Sequence, residues 1–265
     1  MESDATHRRL GTTDQVSFII GLGGITVMPM DPDDATRLMH EAIDAGVNHF
    51  DVAPTYGDAQ AKMGRVLRDR RREVFLSCKT TQRDAAGARR ELEESLRLLQ
   101  TDHIDLYQFH ALDKLEDLDV VTGPGGALEA FHRARDEGLV RYLGVTGHRI
   151  ETHMETVRRI ELDTVMAPLN FRTVDRMCGP NGLIALARSK KMGVIAIKAT
   201  TRGEIAPTDD AYRFTLSQDV DITMPAGKEF WKAVEIGKRF VPLSPDRQAA
   251  FLDHCRRTYD AAKVY

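Results

Sequence analysis

At 265 residues, with 42% hydrophobic and 29% charged side chains, the chain can build a sizeable core and is too apolar for an intrinsically disordered protein. A formal charge of −3 at pH 7 gives no general pull toward nucleic acid or acidic membrane surfaces. The opening MESDATHRRLGTTDQ is too polar for a signal peptide, no apolar run approaches the roughly 18 residues of a membrane span, and the three widely spaced cysteines show no metal-ligand spacing. The expectation is a cytoplasmic globular protein with free thiols at Cys78, Cys178 and Cys255 and no metal site.

Along the chain, Arg8–Leu10 and Val16–Phe18 flank GTTDQ and predict a small β-hairpin. Short runs rich in β-branched and aromatic residues follow at Ser17–Gly23, Asn48–Ala53, Glu73–Lys79, His103–His110, Val140–Thr146, Leu162–Asn170, Gly193–Lys198 and Val220–Pro225. Amphipathic stretches lie between them. DDATRLMHEAIDAG ends on Gly46 as a helix C-cap does, and RDAAGARRELEESLRLL sets Leu92, Leu96 and Leu99 on one stripe. SPDRQAAFLDHCRRTYDAAK predicts an extra helix packed on the outside.

Eight strand candidates alternating with helices predict an α/β fold, a closed (β/α)8 TIM barrel occupying residues 1–265 as one domain. The competing doubly wound sheet calls for G-x-G-x-x-G after its first strand if it binds a dinucleotide. The nearest match, Gly21-Leu22-Gly23-Gly24-Ile25-Thr26, lacks the third glycine.

A barrel carries its active site at the C-terminal ends of its strands. Asp51 falls near the end of the second strand, Tyr56 in the loop beyond it, Lys79 at the end of the third and His110 at the end of the fourth. Singly, each has an ordinary explanation, as a paired surface charge, a packing ring or a satisfied core histidine. Delivered together to one rim by three neighbouring strands, they suggest a division of labour. A phenol of pKa about 10 is a poor acid–base group unless its anion is stabilised, which an ammonium at Lys79 would do. Asp51 would hold that ammonium, His110 would orient a substrate carbonyl, and Tyr56 would protonate the oxygen as hydride arrives. No side chain supplies hydride, so the scheme needs a nicotinamide cofactor. Two other readings use the same residues: a non-catalytic cofactor-binding or regulatory protein, and a Schiff-base lyase using Lys79.

These residues, with RRLGTT, IIGLGG, NHFDVAPTYGDAQAKMGRVL, VFLSCKT, LRLLQTDHIDLYQFHAL, ARDEGLVRYLGVTGH and DTVMAPLN, resemble the aldo-keto reductase superfamily over nearly the whole length. The likeness is to a short member of the branch with TGH after strand five. The resemblance implies a TIM barrel that reduces a small-molecule aldehyde or ketone with NADPH, or with NADH. It implies Asp51, Tyr56, Lys79 and His110 as the catalytic tetrad, and cofactor contacts at Gly23, Gly24, Thr146, Asn170, Lys198 and Lys228. Three places depart from the family pattern around the nicotinamide: Thr146-Gly147-His148 where the family usually carries Ser-Asn, Met166 in place of Gln, and Ile197 in place of the stacking aromatic. Lys228 and Lys232 follow strand eight, where the family grips the adenosine 2′-phosphate; Lys228 would begin a helix, and both are equally explained as solvated lysines on an amphipathic helix. Substrate choice is expected to lie in the loops Ala111–Gly126 and Ala199–Gln218, and the lack of a long C-terminal loop predicts an open site.

Overall fold

A computed structural model describes residues 5–206, 208–225 and 227–260. Two antiparallel strands, β1 (His7–Arg9) and β2 (Val16–Phe18), form the N-terminal hairpin, with its pairing one residue earlier than Arg8–Leu10. Leu10 leaves the ladder and is fully buried among Phe75, Leu106, Met166, Ile195, Ile222 and Met224. The hairpin therefore supplies an apolar plug to the small cluster inside the barrel.

Eight parallel strands follow: β3 (Leu22–Gly23), β4 (His49–Asp51), β5 (Phe75–Thr80), β6 (Ile104–Phe109), β7 (Val140–Thr146), β8 (Thr164–Pro168), β9 (Gly193–Ile197) and β10 (Ile222–Met224). Each pairs with the next. The amide of Gly21 donates to Thr223 O at 3.0 Å, and that of Thr223 donates to Ile19 O at 2.9 Å, bringing the first and last strands together. Ser17–Gly23 does not form one strand. Its first half pairs in the hairpin, leaving only Leu22 and Gly23 for the barrel.

Strand alternation separates two cores. On β5, Phe75 belongs to the inner cluster, whereas Leu76 and Cys78 pack outward against the helices. Two residues per repeat then aim Ser77 and Lys79 inward. On β6, Leu106 faces in and Tyr107 and Phe109 face out, so Gln108 also points into the barrel. The helix Pro32–Asp44 starts on Asp31, whose side chain accepts from Asp33 N, and the chain leaves it through Gly46 at φ 94°. In the helix Ala85–Leu99, Leu92 and Leu99 are buried and Leu96 packs against the core edge.

The helix Pro245–Thr258 lies outside the barrel, anchored by Phe251, Cys255 and a Phe214–Phe251 ring contact of 5.1 Å. The last residues of the stretch expected to form it, 261–263, lie outside the described residues. The two loops expected to set substrate choice are not plain loops. Each contains a helix, Leu115–Thr122 and Thr208–Leu216. Among the described residues, no helix is long and apolar enough to cross a membrane, and no group of metal-binding side chains occurs.

Candidate active site

Asp51 ends β4 and Lys79 lies next to the end of β5, and both side chains are buried. The Lys79 ammonium pairs with Asp51 Oδ2 and donates a second bond to Val52 O at 3.1 Å. Gln108 Nε2 donates to the other oxygen, Asp51 Oδ1, at 3.1 Å. The carboxylate thus has a cation on one oxygen and an amide on the other, as a buried charge needs. Burial favours a neutral amine, but Asp51 and Tyr56 outweigh it and hold the Lys79 pKa above its ordinary value.

Tyr56 stands in the turn after β4, where its amide donates to Ala53 O at 3.0 Å. Its ring lies 5.2 Å from Lys79 Nζ and meets the His110 ring edge-on at 5.8 Å. Gly24 makes this arrangement possible. A Cβ there would come within 2.8 Å of Val52 Cγ2 and 3.3 Å of both Asp51 O and Tyr56 Cδ2. Lys79 pulls the phenol pKa down, as its charge requires, but burial and the Asp51 carboxylate together outweigh it. The net shift is upward, opposite to the expectation from Lys79 alone. Tyr56 is a protonated phenol at neutral pH.

His110 follows β6. Its backbone amide donates to Thr80 O at 2.8 Å, and the Arg83 guanidinium donates to the carbonyls of His110 and Ala111, each at 3.0 Å. Burial, with the Lys79 and Arg83 cations nearby, pulls the imidazole down to about 3. It is neutral at physiological pH, and among the described residues its buried Nδ1 finds no partner.

Asp51, Tyr56 and His110 share a cavity of about 460 Å³ at the C-terminal rim. That size suits a small-molecule site, commonly about 300–1,000 Å³. Gly23, Thr146 and Lys198 of the expected cofactor residues line it too, as do all three departing positions, Gly147, Met166 and Ile197. Gly24 is buried and is not part of that lining. Asn170 is buried off the cavity, where Nδ2 donates to Lys198 O at 3.0 Å and Oδ1 accepts from Arg172 N at 2.9 Å. Lys228 is exposed, outside the cavity lining, in a single 3-10 turn (Gly227–Glu229) that precedes the helix Phe230–Lys238. Lys232 is tied to Asp209 at 2.9 Å.

Further residues complete the wall, His148 of the TGH segment among them. His148 lines the cavity, and its Nδ1 lies 3.3 Å from Asp113 Oδ2. Asp113 Oδ1 accepts from the amides of His148 and Arg149. These bonds offset the burial of the carboxyl and hold its pKa well below the usual range. They also account for Gly147, since a Cβ there would lie 2.5 Å from Asp113 Oδ1. Opposite, Thr200, Arg202 and Tyr212 line the wall after β9. Glu229 accepts from the hydroxyls of Thr200 at 2.8 Å and Tyr212 at 2.7 Å, fixing that wall. The only sequence signal for Arg202 is its place in a loop after a barrel strand.

The lining fits a nicotinamide group, since Met166, Ile197 and Met224 offer apolar surface for a flat ring and Thr146 stands at the same wall.

The sequence model of the aldo/keto reductase family matches residues 19–222. Among curated proteins, the uncharacterized oxidoreductase YqkF of Bacillus subtilis is 27% identical over 220 residues, covering 77% of this chain and 68% of that protein. Aldo-keto reductase YhdN of the same organism is 28% identical over 233 residues, covering 80% of this chain and 67% of its own length. The solved holo form of aldo-keto reductase AKR11C1 from Bacillus halodurans superposes with a TM-score of 0.79, covering 98% of each chain at 24% identity, a likeness of fold.

Proposed function

The chain belongs to the aldo/keto reductase family of oxidoreductases, and from that premise we propose that it reduces an aldehyde or ketone to an alcohol with a reduced nicotinamide dinucleotide. The observation that carries this reading is the buried Lys79–Asp51 pair beside a protonated Tyr56 and a neutral His110 on one cavity. The barrel acts as a single catalytic unit.

A bound nicotinamide would supply the hydride. Gly23, Thr146, Met166, Ile197 and Lys198 are the residues assigned to hold it. His110, neutral and kept in place through its backbone by Thr80 and Arg83, donates a hydrogen bond to the substrate carbonyl and orients it. Tyr56 gives its phenolic proton to the oxygen that becomes the alcohol. Lys79 favours the phenolate that this transfer leaves behind. Asp51, steadied by Gln108, keeps the ammonium charged and in place. A phenol that stays protonated at neutral pH suits an acid working in the direction of reduction.

The donor is NADPH, with NADH as the alternative, and Lys228 is assigned to the 2′-phosphate that separates them. Lys228→Gln should then weaken NADPH and leave NADH alone. The substrate is a small carbonyl compound and the working compartment is the cytoplasm, in keeping with the free thiols of Cys78, Cys178 and Cys255. Incubating the protein with NADPH and a panel of reactive aldehydes tests the reading, because oxidation of the cofactor must depend on the aldehyde. Cofactor binding without any turnover would instead support a regulatory protein on the same barrel.

A further inference from the structure

Lys79 belongs to a layer of positions that runs across four strands. The parallel register sets Lys79 of β5 beside Gln108 of β6, Gln108 beside Gly144 of β7, and Gly144 beside Thr164 of β8. Register partners share one face of a sheet, here the barrel interior. Gln108 is fully buried and is not part of the cavity lining, so any effect it has on the reaction must pass through Asp51. Gly144 makes room for it. A Cβ there would come 3.1 Å from Gln108 Cγ and would overlap Thr164 Oγ1. A side chain at position 144 would therefore push on the stem that carries the Gln108 amide.

A carboxylate only accepts hydrogen bonds, so Asp51 dictates which end of the amide faces it. Nε2 donates to Oδ1 at 3.1 Å, and Oε1 is left buried with no partner among the described residues. An amide oxygen in that position is destabilising. A methionine would fill the same space without it, so packing alone does not account for an amide here. What the amide adds is one N–H on Asp51. With that donor on one oxygen and the Lys79 ammonium on the other, the plane of the carboxylate is fixed. The plane in turn sets where the ammonium stands, 5.2 Å from the Tyr56 ring.

We propose that Gln108 is a positioning residue for the reduction. Seated by Gly144, it gives Asp51 the N–H that fixes the Lys79 ammonium where it favours the Tyr56 phenolate as the proton leaves. The proposal rests on the carbonyl-reductase reading above. It assigns to a side chain outside the cavity an effect on rate that leaves binding unchanged.

Gln108→Met keeps the length of the side chain and removes the donor. Its kcat should fall by about tenfold to a hundredfold, the scale of a hydrogen bond to a charged group. KM for the aldehyde and the dinucleotide dissociation constant should stay at their wild-type values. Gln108→Glu separates the donor from its bulk. Protonated, the introduced carboxyl has an O–H to give Asp51; ionised, it places a second negative charge there. The charged groups around it are Asp51 of β4 and Lys79 of β5, since Gly144 and Thr164 on β7 and β8 do not titrate. The Gln108→Glu rate should approach wild type at about pH 6 and fall toward that of Gln108→Met at about pH 8.5, a limb that wild type lacks. Gly144→Ala leaves the amide intact and crowds its stem, so it should also lower kcat with binding unchanged. Urea unfolding reads the contact without turnover: Gln108→Met should lower the midpoint in wild type and lower it less in Asp51→Asn. The proposal is overturned by a folded Gln108→Met protein with wild-type kcat, or by a rate loss matched by weaker dinucleotide binding. A Gln108→Glu rate as low at the acid pH as at the alkaline one also overturns it, as do equal midpoint losses in the two backgrounds. A wild type that turns over no aldehyde overturns the reductase reading instead, and the unfolding comparison still decides whether Gln108 holds Asp51.

Discussion

The Lys79 ammonium and the Asp51 carboxylate are ion-paired inside the barrel, their side chains only 1% and 6% exposed to solvent. Removing one partner from such a pair strands the other charge in a poorly solvated place, which typically costs about 3–5 kcal/mol. Asp51→Asn and Lys79→Met should each lower stability by that order in urea unfolding. The double variant, with neither charge, should recover most of the loss and none of the activity. A double variant as unstable as the sum of the singles would show that the two side chains do not act as a pair.

The phenol of Tyr56 is held above its ordinary pKa of 10.0. The reduction rate should therefore be flat with respect to this group through neutral pH and fall only in strong alkali, as the proton it donates is lost. Tyr56→Phe should lower the rate by about 10²–10⁴-fold and leave the dinucleotide dissociation constant unchanged. A pH–rate profile that already falls between pH 7 and 9 in wild type, and keeps that limb in Tyr56→Phe, would assign the limb to a different group.

Three imidazoles are kept neutral by burial: His49 at about 3, His110 at about 3 and His153 at about 4. In the unfolded chain each takes up a proton near pH 6.5. The unfolded state then binds more protons below that value, so stability rises with pH across this window. Stability from these groups is fully present above about pH 6.5 and is lost as the pH falls toward 3 to 4. Urea midpoints measured at pH 7 and pH 5 should show the decline, and His49→Gln should make it shallower.

Asp113 fills the space beside Gly147 and holds the backbone of His148 and Arg149. Gly147→Ala places a methyl 2.5 Å from Asp113 Oδ1, so the carboxylate must give up its place. Overpacking of this kind usually costs about 1–3 kcal/mol. The melting temperature should fall, and the dinucleotide should bind more weakly as the cavity wall shifts. An unchanged melting temperature would mean that Asp113 moves aside freely.

The parts of the site carried by strands were legible in the sequence. Val140–Thr146 is the strand as predicted, and alternation on β5 and β6 is sufficient to aim Lys79 and Gln108 inward. Ser17–Gly23 failed as a single strand because hairpin pairing and barrel pairing compete for one apolar run. Arg202 and Asp113 were not legible. Their positions depend on left-handed turns at Lys198, Thr201, Arg202 and Ala111, none of them a glycine that would mark such a turn. The direction of the Tyr56 shift was missed for a related reason. Lys79 is visible as a nearby charge, whereas the burial that outweighs it, together with Asp51, exists only in the folded chain.

The decisive measurement for Tyr56 and Lys79 is turnover of NADPH with a reactive aldehyde in wild type, Tyr56→Phe and Lys79→Met. Wild type should oxidise NADPH only when aldehyde is present, and both variants should lose orders of magnitude in rate, with dinucleotide binding retained in Tyr56→Phe. Near-normal turnover in both variants would contradict the roles assigned to Tyr56 and Lys79.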